Sequence, residues 1–528
     1  MATPVLRRRP VLAPAPARGV SPWRERAAIA IPALLATVLS FLHIGGRSLG
    51  FDEGATVSIA SQHGAALWAG IAHDGGNMSG FYLLLHGLIG VFGNGLLVLR
   101  VVPAVAVVAT VALIAAIGRR LFDALVGLVA GVLAAVSLPL IYWGQTARGY
   151  APMVAFVCAA YLAFIAMADA PADGAPRWRP WLGYVLAMTA AMYCSFVAVL
   201  VVPGQLLVLA HRRGAWRRVA GALAVIALGC IPLAVLAVRR GSGQLFWVTP
   251  PTKMVDTQVL QSLTSAGLSP VFHPTGTTYV LMWSTVAAVV ALVVDLAWRH
   301  RRAPDAWGRA LVLSWCVLPA AMTFLYSLVS QPIFVPRNVL MSTPAVALAL
   351  ATALRERGRM RALAAVALVA LLAVRSLQLA PSYGVSPEPW AAVTHEVLAQ
   401  SRPGDCVTFY PEDARMAFQY YVGTGAAADR RAPRSILPVI RWGVVKPFVE
   451  NYATLTLPQI ARRAATCRRM WFISSHEGQP NGPLVSRMHR ARYFRLDVAL
   501  ERLFGLAPVQ KHGYASIIHV QLLPGRRG

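Results

Sequence analysis

Residues 47–56 read Arg47-Ser48-Leu49-Gly50-Phe51-Asp52-Glu53-Gly54-Ala55-Thr56, directly after the first long apolar segment, 27–45. Two adjacent carboxylates thus stand where a hydrocarbon-length helix has just ended, a place where solvated charges are also ordinary. Their company raises them above that reading. A third acid follows in His73-Asp74-Gly75-Gly76-Asn77-Met78. Later apolar segments end in Gln145-Thr146-Ala147-Arg148-Gly149-Tyr150 and in Pro332-Ile333-Phe334-Val335-Pro336-Arg337. With Lys253, these gather acids and cations on one membrane face, the pattern of a site that reads a lipid-linked anion.

Of the 528 residues, 57% are hydrophobic and 13% charged. So many long apolar runs make the chain a polytopic membrane protein. The formal net charge of +28 would suit nucleic acid. The arginines, however, cluster in short loops between apolar runs, where they set membrane orientation, so nucleic acid is set aside as a partner. Residues 1–26 are rich in Pro, Ala and Arg without apolar periodicity and read as a disordered cytoplasmic tail. No small-residue cleavage site precedes the Asp52 loop, so 27–45 is an uncleaved first span whose far end lies outside the cytoplasm.

The run 80–97 is short, carries His86 and glycines, and reads as a helix along the outer interface. Counting it as a span would put Arg119 and Arg120 outside, against the positive-inside tendency. Residues 99–118, 124–143 and 150–168 follow as spans, then a hairpin of two short spans over 181–210 that turns near Tyr193–Ser195. Further spans are 219–238, 277–297, 309–329, 338–354 and 362–380. This gives about eleven, with every dense Arg cluster on one side, in a transmembrane domain of 27–380 with outer loops 46–98 and 239–276.

Residues 382–528 change character and read as an extracytoplasmic α/β domain. Helices are expected at 388–399, 412–421 and 457–465, and strands at 405–410, 469–474 and 514–522. Cys158, Cys194, Cys230 and Cys316 lie in apolar segments as small core residues, whereas Cys406 and Cys467 could pair if their region is extracytoplasmic. No Walker loop, dinucleotide fingerprint, cysteine metal spacing or internal repeat is visible.

A sugar carried on a polyprenyl phosphate would place its tail in the bilayer and its phosphate at the outer interface. Asp52 is the candidate base for an acceptor hydroxyl, and Glu53, pointing to another side, would orient it. Arg148 and Arg337 are the candidate phosphate holders, because a guanidinium fork binds phosphate bidentately and stays charged; each could equally snorkel to the interface. Gln145 and Tyr150 flank Arg148 with hydrogen-bonding groups. Lys253 lies in a loop long enough to fold over the site, where Trp247 could stack on a sugar or anchor the interface. Asp74 positions acceptor or base. Alternatively, His73, Asp74 and His273 could complete a divalent-metal site with Asp52.

These motifs resemble a known group. The Asp-Glu pair after the first span, the acid ahead of FYLLLH, Phe92-Gly93, Arg100 with Pro103, Arg119-Arg120-Leu121-Phe122 and QTARGY are similar in order and spacing to the GT-C superfold of lipid-phosphosugar-dependent glycosyltransferases. The nearest branch is the protein O-mannosyltransferase-like and aminoarabinose-transferase-like family. The resemblance covers 27–150, extends loosely to PIFVPRN around Arg337 and fades in the C-terminal region. It implies a polyprenyl-phosphate sugar donor, Asp52 as base, and transfer outside the cytoplasm to an envelope glycan, lipid or protein. It departs at Asn77-Met78-Ser79-Gly80-Phe81-Tyr82, where many members carry Pro-Pro, which leaves the acceptor surface open. The Ala- and Arg-rich composition suggests a high-GC bacterium, its plasma membrane, and mannose or an arabinose-like pentose.

Two other readings compete with an inverting glycosyltransferase. A transporter or flippase of polyprenyl-linked glycans would place its charges near the bilayer midplane, whereas here they fall at segment ends. A catalytically silent envelope scaffold would keep the fold and lose the chemistry.

Overall fold

The structure is a computed structural model. It describes residues 22–169, 178–241, 248, 250–264, 276–299, 305–356, 358–423, 426–448, 456–476, 483–505, 508, 510–514 and 517–525.

Helices run in chain order as α1 (Pro22–Phe41), α2 (Phe51–Ala60), α3 (Gly64–His73), α4 (Ser79–Phe92), α5 (Leu96–Leu121), α6 (Ala124–Ala135), α7 (Leu138–Gly144), α8 (Tyr150–Ala168) and α9 (Trp178–Cys194). They continue as α10 (Val202–Val208), α11 (Trp216–Gly229), α12 (Ile231–Arg240), α13 (Lys253–Leu263), α14 (Gly276–Arg299) and α15 (Ala306–Val329). A 3-10 turn (Pro336–Ser342) leads into α16 (Thr343–Ala353), and α17 (Arg359–Gly384) follows.

Among the described residues, five helices are long and apolar enough to cross a membrane, or up to seven if each of two bent pairs is one span. The bends fall where the sequence reading drew single spans. α6 and α7 meet at 59° and α11 and α12 at 52°. Pro139 and Pro232 stand in the first turn of the second helix of each pair. Proline has no N–H to give the preceding turn and its ring clashes with it, so the helix breaks there. The other expected spans fall on elements that are shorter or begin in charge: α1, α9, the 196–211 segment and the eleven-residue α16. α4 has fourteen residues, about 21 Å at 1.5 Å per residue. That is short of a hydrocarbon core of roughly 30 Å.

Small residues let the inner helices close up. A Cβ on Gly127 of α6 would lie 2.5 Å from the Ala115 carbonyl oxygen of α5, and one on Gly131 would lie 2.8 Å from Pro32 of α1. Any larger side chain would push these helices apart. On the opposite flank Tyr161 of α8 stacks on Trp315 of α15 at 3.8 Å, and the Trp315 indole donates to the Met341 carbonyl at 2.7 Å.

The C-terminal elements are α18 (Trp390–Gln400), β1 (Cys406–Tyr410), α19 (Arg415–Val422), α20 (Ala426–Arg431), β2 (Arg434–Leu437), α21 (Leu457–Ala464), β3 (Met470–Ser475), α22 (Pro483–Phe504), β4 (Gln510–Tyr514) and β5 (Ile518–Leu523). The strands form one mixed sheet in the order β2-β1-β3-β5-β4. β1 is parallel to β2 and β3, with Cys406 opposite Met470; β5 is antiparallel to β3 and β4. Alternate side chains go to opposite faces, as the pleat requires. Cys406, Met470 and Phe472 join α21 and α22 in one core, while Val407, Phe409, Trp471 and Ile473 face α18 and α19 in a core continuous with the transmembrane helices.

Cys406 and Cys467 are joined by a disulfide across 61 positions of sequence. Closing that loop restricts the unfolded chain, so Cys467→Ser should destabilise the C-terminal region by about 2–4 kcal/mol. Limited proteolysis under mild denaturation, with and without reductant, checks this. Equal resistance of the reduced and oxidised protein would count against it.

Candidate active site

α2 places the two adjacent acids on different sides, because consecutive helical residues are about 100° apart. Glu53 turns inward and is fully engaged. Arg100 of α5 grips it with two parallel bonds, Nε to Oε1 and Nη2 to Oε2, both 3.0 Å. The Gly50 N–H donates to Oε2 at 3.1 Å, closing the first turn of α2, and the Ala147 N–H donates to Oε1 at 2.7 Å. Arg100 also donates to the Ile44 and Arg47 carbonyls, each at 3.0 Å. One buried carboxylate therefore fixes α2, α5, the loop before Asp52 and the turn that carries Arg148.

Asp52 faces the other way. Its side chain keeps 43% of its surface open, against 6% for Glu53, so only Asp52 can meet a substrate. Arg337, from the 3-10 turn, donates to its Oδ2 at 3.0 Å, and Arg148 Nη2 stands 4.0 Å from the same oxygen. The Tyr150 ring lies beneath both cations, 5.9 Å from the Arg148 guanidinium carbon and 5.8 Å from that of Arg337. Arg148 is further held by Thr56 Oγ1 at 3.1 Å and Tyr82 OH at 3.4 Å, and Tyr82 donates to Asp74 Oδ2 at 2.7 Å. Its Nε–H is buried without a hydrogen-bond partner among the described residues.

The charges set the protonation states. Burial alone would push the Asp52 carboxyl up, but Arg148, Arg337 and then His476 outweigh it and hold it below the usual carboxylate range. Asp74 goes the other way: burial dominates the nearby Arg148 and the Tyr82 hydrogen bond, and its carboxyl is pushed up to about 6. At neutral pH the site holds an ionised, partly open carboxylate between two permanent cations.

Asp52, Asp74, Arg148, Arg337 and Tyr150 are thus brought together. Gln145 is not part of this group, because its amide donates to the Ser40 and Leu42 carbonyls at 3.0 and 2.7 Å and so ties α1 to the turn. Lys253 is exposed at the first position of α13, whose Val255 and Val259 pack on Phe334 and Val339 around the 3-10 turn, and its side chain is not among those shown to meet Asp52. His73 stacks on Phe448 at 4.5 Å and approaches Arg240 at 3.5 Å. His273 and Trp247 lie outside the described residues. Among the described residues no group of three or more His, Cys, Asp or Glu is placed to hold a metal ion. Asp52 accepts from Arg337 and Asp74 from Tyr82.

Sequence reading missed Thr56, Tyr82, Glu388 and His476. Tyr82 and Thr56 lie within motifs it quoted and needed only the helical geometry to be seen. Glu388 and His476 come from beyond the last span, and nothing local in the sequence points them at Asp52.

Residues 80–238 match the family model described as dolichyl-phosphate-mannose-protein mannosyltransferase, a stretch that holds Tyr82, Arg100, Arg148 and Tyr150. No curated protein matches the chain. Among solved structures it is similar to ArnT from Cupriavidus metallidurans in the apo state, with TM-score 0.55 and 14% identity over 95% of this chain and 99% of that one. The same protein bound to undecaprenyl phosphate gives 0.51 and 15% over 94% and 99%. The oligosaccharyltransferase AglB from Archaeoglobus fulgidus, in complex with an inhibitory peptide and a dolichol-phosphate, gives 0.53 and 12% over 91% and 72%. At such identities likeness speaks for architecture, and the architecture is that of the GT-C glycosyltransferases.

Proposed function

We propose that the protein is an integral-membrane inverting glycosyltransferase that moves a sugar from a polyprenyl phosphate to an acceptor outside the cytoplasm. The observation that carries this reading is the partly open Asp52 carboxylate set between Arg148 and Arg337. That carboxylate stands where a phosphate oxygen would be welcome, 3.0 Å from Arg337 and 4.0 Å from Arg148.

The donor phosphodiester, whose single charge is spread over two free oxygens that a guanidinium fork can grip, draws the two guanidinium groups to itself, aided by the buried Arg148 Nε–H that has no partner among the described residues. Asp52 then loses the cations that depress its carboxyl and becomes a stronger base. An acceptor hydroxyl attacks the anomeric carbon from the side opposite the phosphate, its proton passes to Asp52 Oδ2, and the sugar–oxygen bond to phosphate breaks. The departing phosphate keeps the electron pair, and its growing charge falls on Arg148 and Arg337. Displacement from one face inverts the anomeric centre. Tyr82 and Asp74 hold Arg148 in place throughout.

ArnT bound to undecaprenyl phosphate and AglB in complex with a dolichol-phosphate and a peptide support this kind of donor and a large acceptor. The family match and the Ala- and Arg-rich composition favour mannose or an arabinose-like pentose and a bacterial plasma membrane. The Cys406–Cys467 disulfide supports an oxidising compartment for the C-terminal region, and an odd number of spans would then set the N-terminus in the cytoplasm.

Undecaprenyl phosphate binding in detergent, followed by native mass spectrometry, tests the donor assignment. Arg148→Ala should weaken retention about tenfold or more, as expected for losing a charge-assisted bond. Equal retention by the variant and the parent protein would overturn it.

A further inference from the structure

Glu388 lies between α17 and α18, and its Oε2 accepts the Phe51 N–H at 2.7 Å and the Trp390 indole N–H at 3.0 Å. It therefore satisfies one of the unpaired N–H groups at the start of α2, a single residue before Asp52. Its other oxygen, Oε1, stands 4.0 Å from Nε2 of His476. His476 directly follows β3 with a left-handed backbone, φ 56°, which turns the chain away from the strand. Ser475 Oγ lies 2.8 Å from its Nδ1, and its ring meets the Phe51 ring edge-on at 6.4 Å. About a third of the imidazole is open, and the ring lies within electrostatic reach of Asp52. Two residues from outside the transmembrane helices thus stand at the mouth of the site, on the Phe51 side of Asp52.

We infer that Glu388 and His476 are positioning residues for the acceptor: Glu388 aims α2, and His476 offers the incoming hydroxyl-bearing acceptor a hydrogen bond that sets it over Asp52. This rests on the transferase reading above. The cations that suit a phosphate lie on the Arg148 and Arg337 side, so the imidazole side is left for the neutral partner of the reaction. Ser475 Oγ, 2.8 Å from Nδ1, holds the ring, while Glu388 Oε1 stays 4.0 Å from Nε2, beyond hydrogen-bond reach, so Nε2 is the nitrogen that can meet the acceptor.

The test is transfer of labelled sugar from a polyprenyl-phosphate donor into the cell's own delipidated envelope fraction, with that fraction titrated, beside undecaprenyl phosphate retention. His476→Ala should raise the acceptor concentration for half-maximal transfer about tenfold, as for a lost hydrogen bond to a charged or polarised group, with kcat and undecaprenyl phosphate retention little changed. His476→Gln, which keeps a donor and an acceptor, should recover much of that loss. An unchanged half-saturation in His476→Ala overturns the inference, and so does a parallel loss of undecaprenyl phosphate retention, which would mark a general structural role. Asp52→Asn, run alongside, separates the two readings. If it still transfers, the transferase site itself is wrong; if it is dead while His476→Ala matches the parent, only the acceptor role fails.

Discussion

Asp52→Asn should abolish sugar transfer while leaving the protein inserted and its grip on undecaprenyl phosphate undiminished. Asparagine matches aspartate in shape but cannot take a proton, so the loss should be about 10²–10⁴-fold, the usual share of a positioned base. The donor side should respond in the opposite sense. Asp52, 3.0 Å from Arg337 and 4.0 Å from Arg148, competes with phosphate for both cations. Removing its charge frees both cations, so undecaprenyl phosphate should be held as well as before or more tightly. Transfer in membranes and retention by native mass spectrometry read the two effects separately. Transfer at the parent rate would remove Asp52 as the base; transfer and retention lost together would make it a scaffold residue.

Arg100→Met should cost the fold. It leaves the Glu53 carboxylate buried with only the Gly50 and Ala147 N–H groups for company. Breaking one side of a buried pair typically costs about 3–5 kcal/mol, because the remaining charge is stranded. The same change strips the donors from the Ile44 and Arg47 carbonyls, which shape the approach to Asp52. The expected result is a large drop in the monodisperse fraction and in the thermal midpoint in detergent. Glu53→Gln combined with Arg100→Met should recover part of the loss, since neither partner is then charged. A midpoint equal to that of the parent in the single variant would show the pair to be dispensable.

The two adjacent acids show what a sequence can reveal and where it stops. That neighbouring acids would diverge was legible from helical geometry alone. Which of them would be swallowed was not, because that depends on Arg100, 47 positions away. Arg148 and Arg337 were legible because a guanidinium at the end of an apolar run has few uses. Gln145 shared the neighbourhood of Arg148 and Lys253 sat in a separate loop, yet the amide turned to α1 and the lysine faced solvent. The long apolar helices were readable from hydropathy, whereas the bends at α6–α7 and α11–α12 needed the prolines to be weighed against the apolar count. Of the C-terminal strands, β1, β3 and β5 announced themselves by β-branched and aromatic runs, whereas β2 and β4 carry no such run and were missed. The docking of α19, beside that sheet, against α2 is a contact over hundreds of residues, to which no local pattern points.

That docking has a consequence through Gly54. A Cβ at this position of α2 would fall 2.8 Å from the Ala417 backbone nitrogen of α19, so two helices separated by most of the chain touch main chain to main chain. The Tyr421 hydroxyl, one helical turn further along α19, accepts the Leu49 N–H at 2.6 Å. The final third of the polypeptide is accordingly one wall of the chamber and no detachable accessory. A chimera that swaps this portion for a homologue's would have to bring residues 47–60 along with it, or the proton acceptor would lose its bearing before any new specificity could be read.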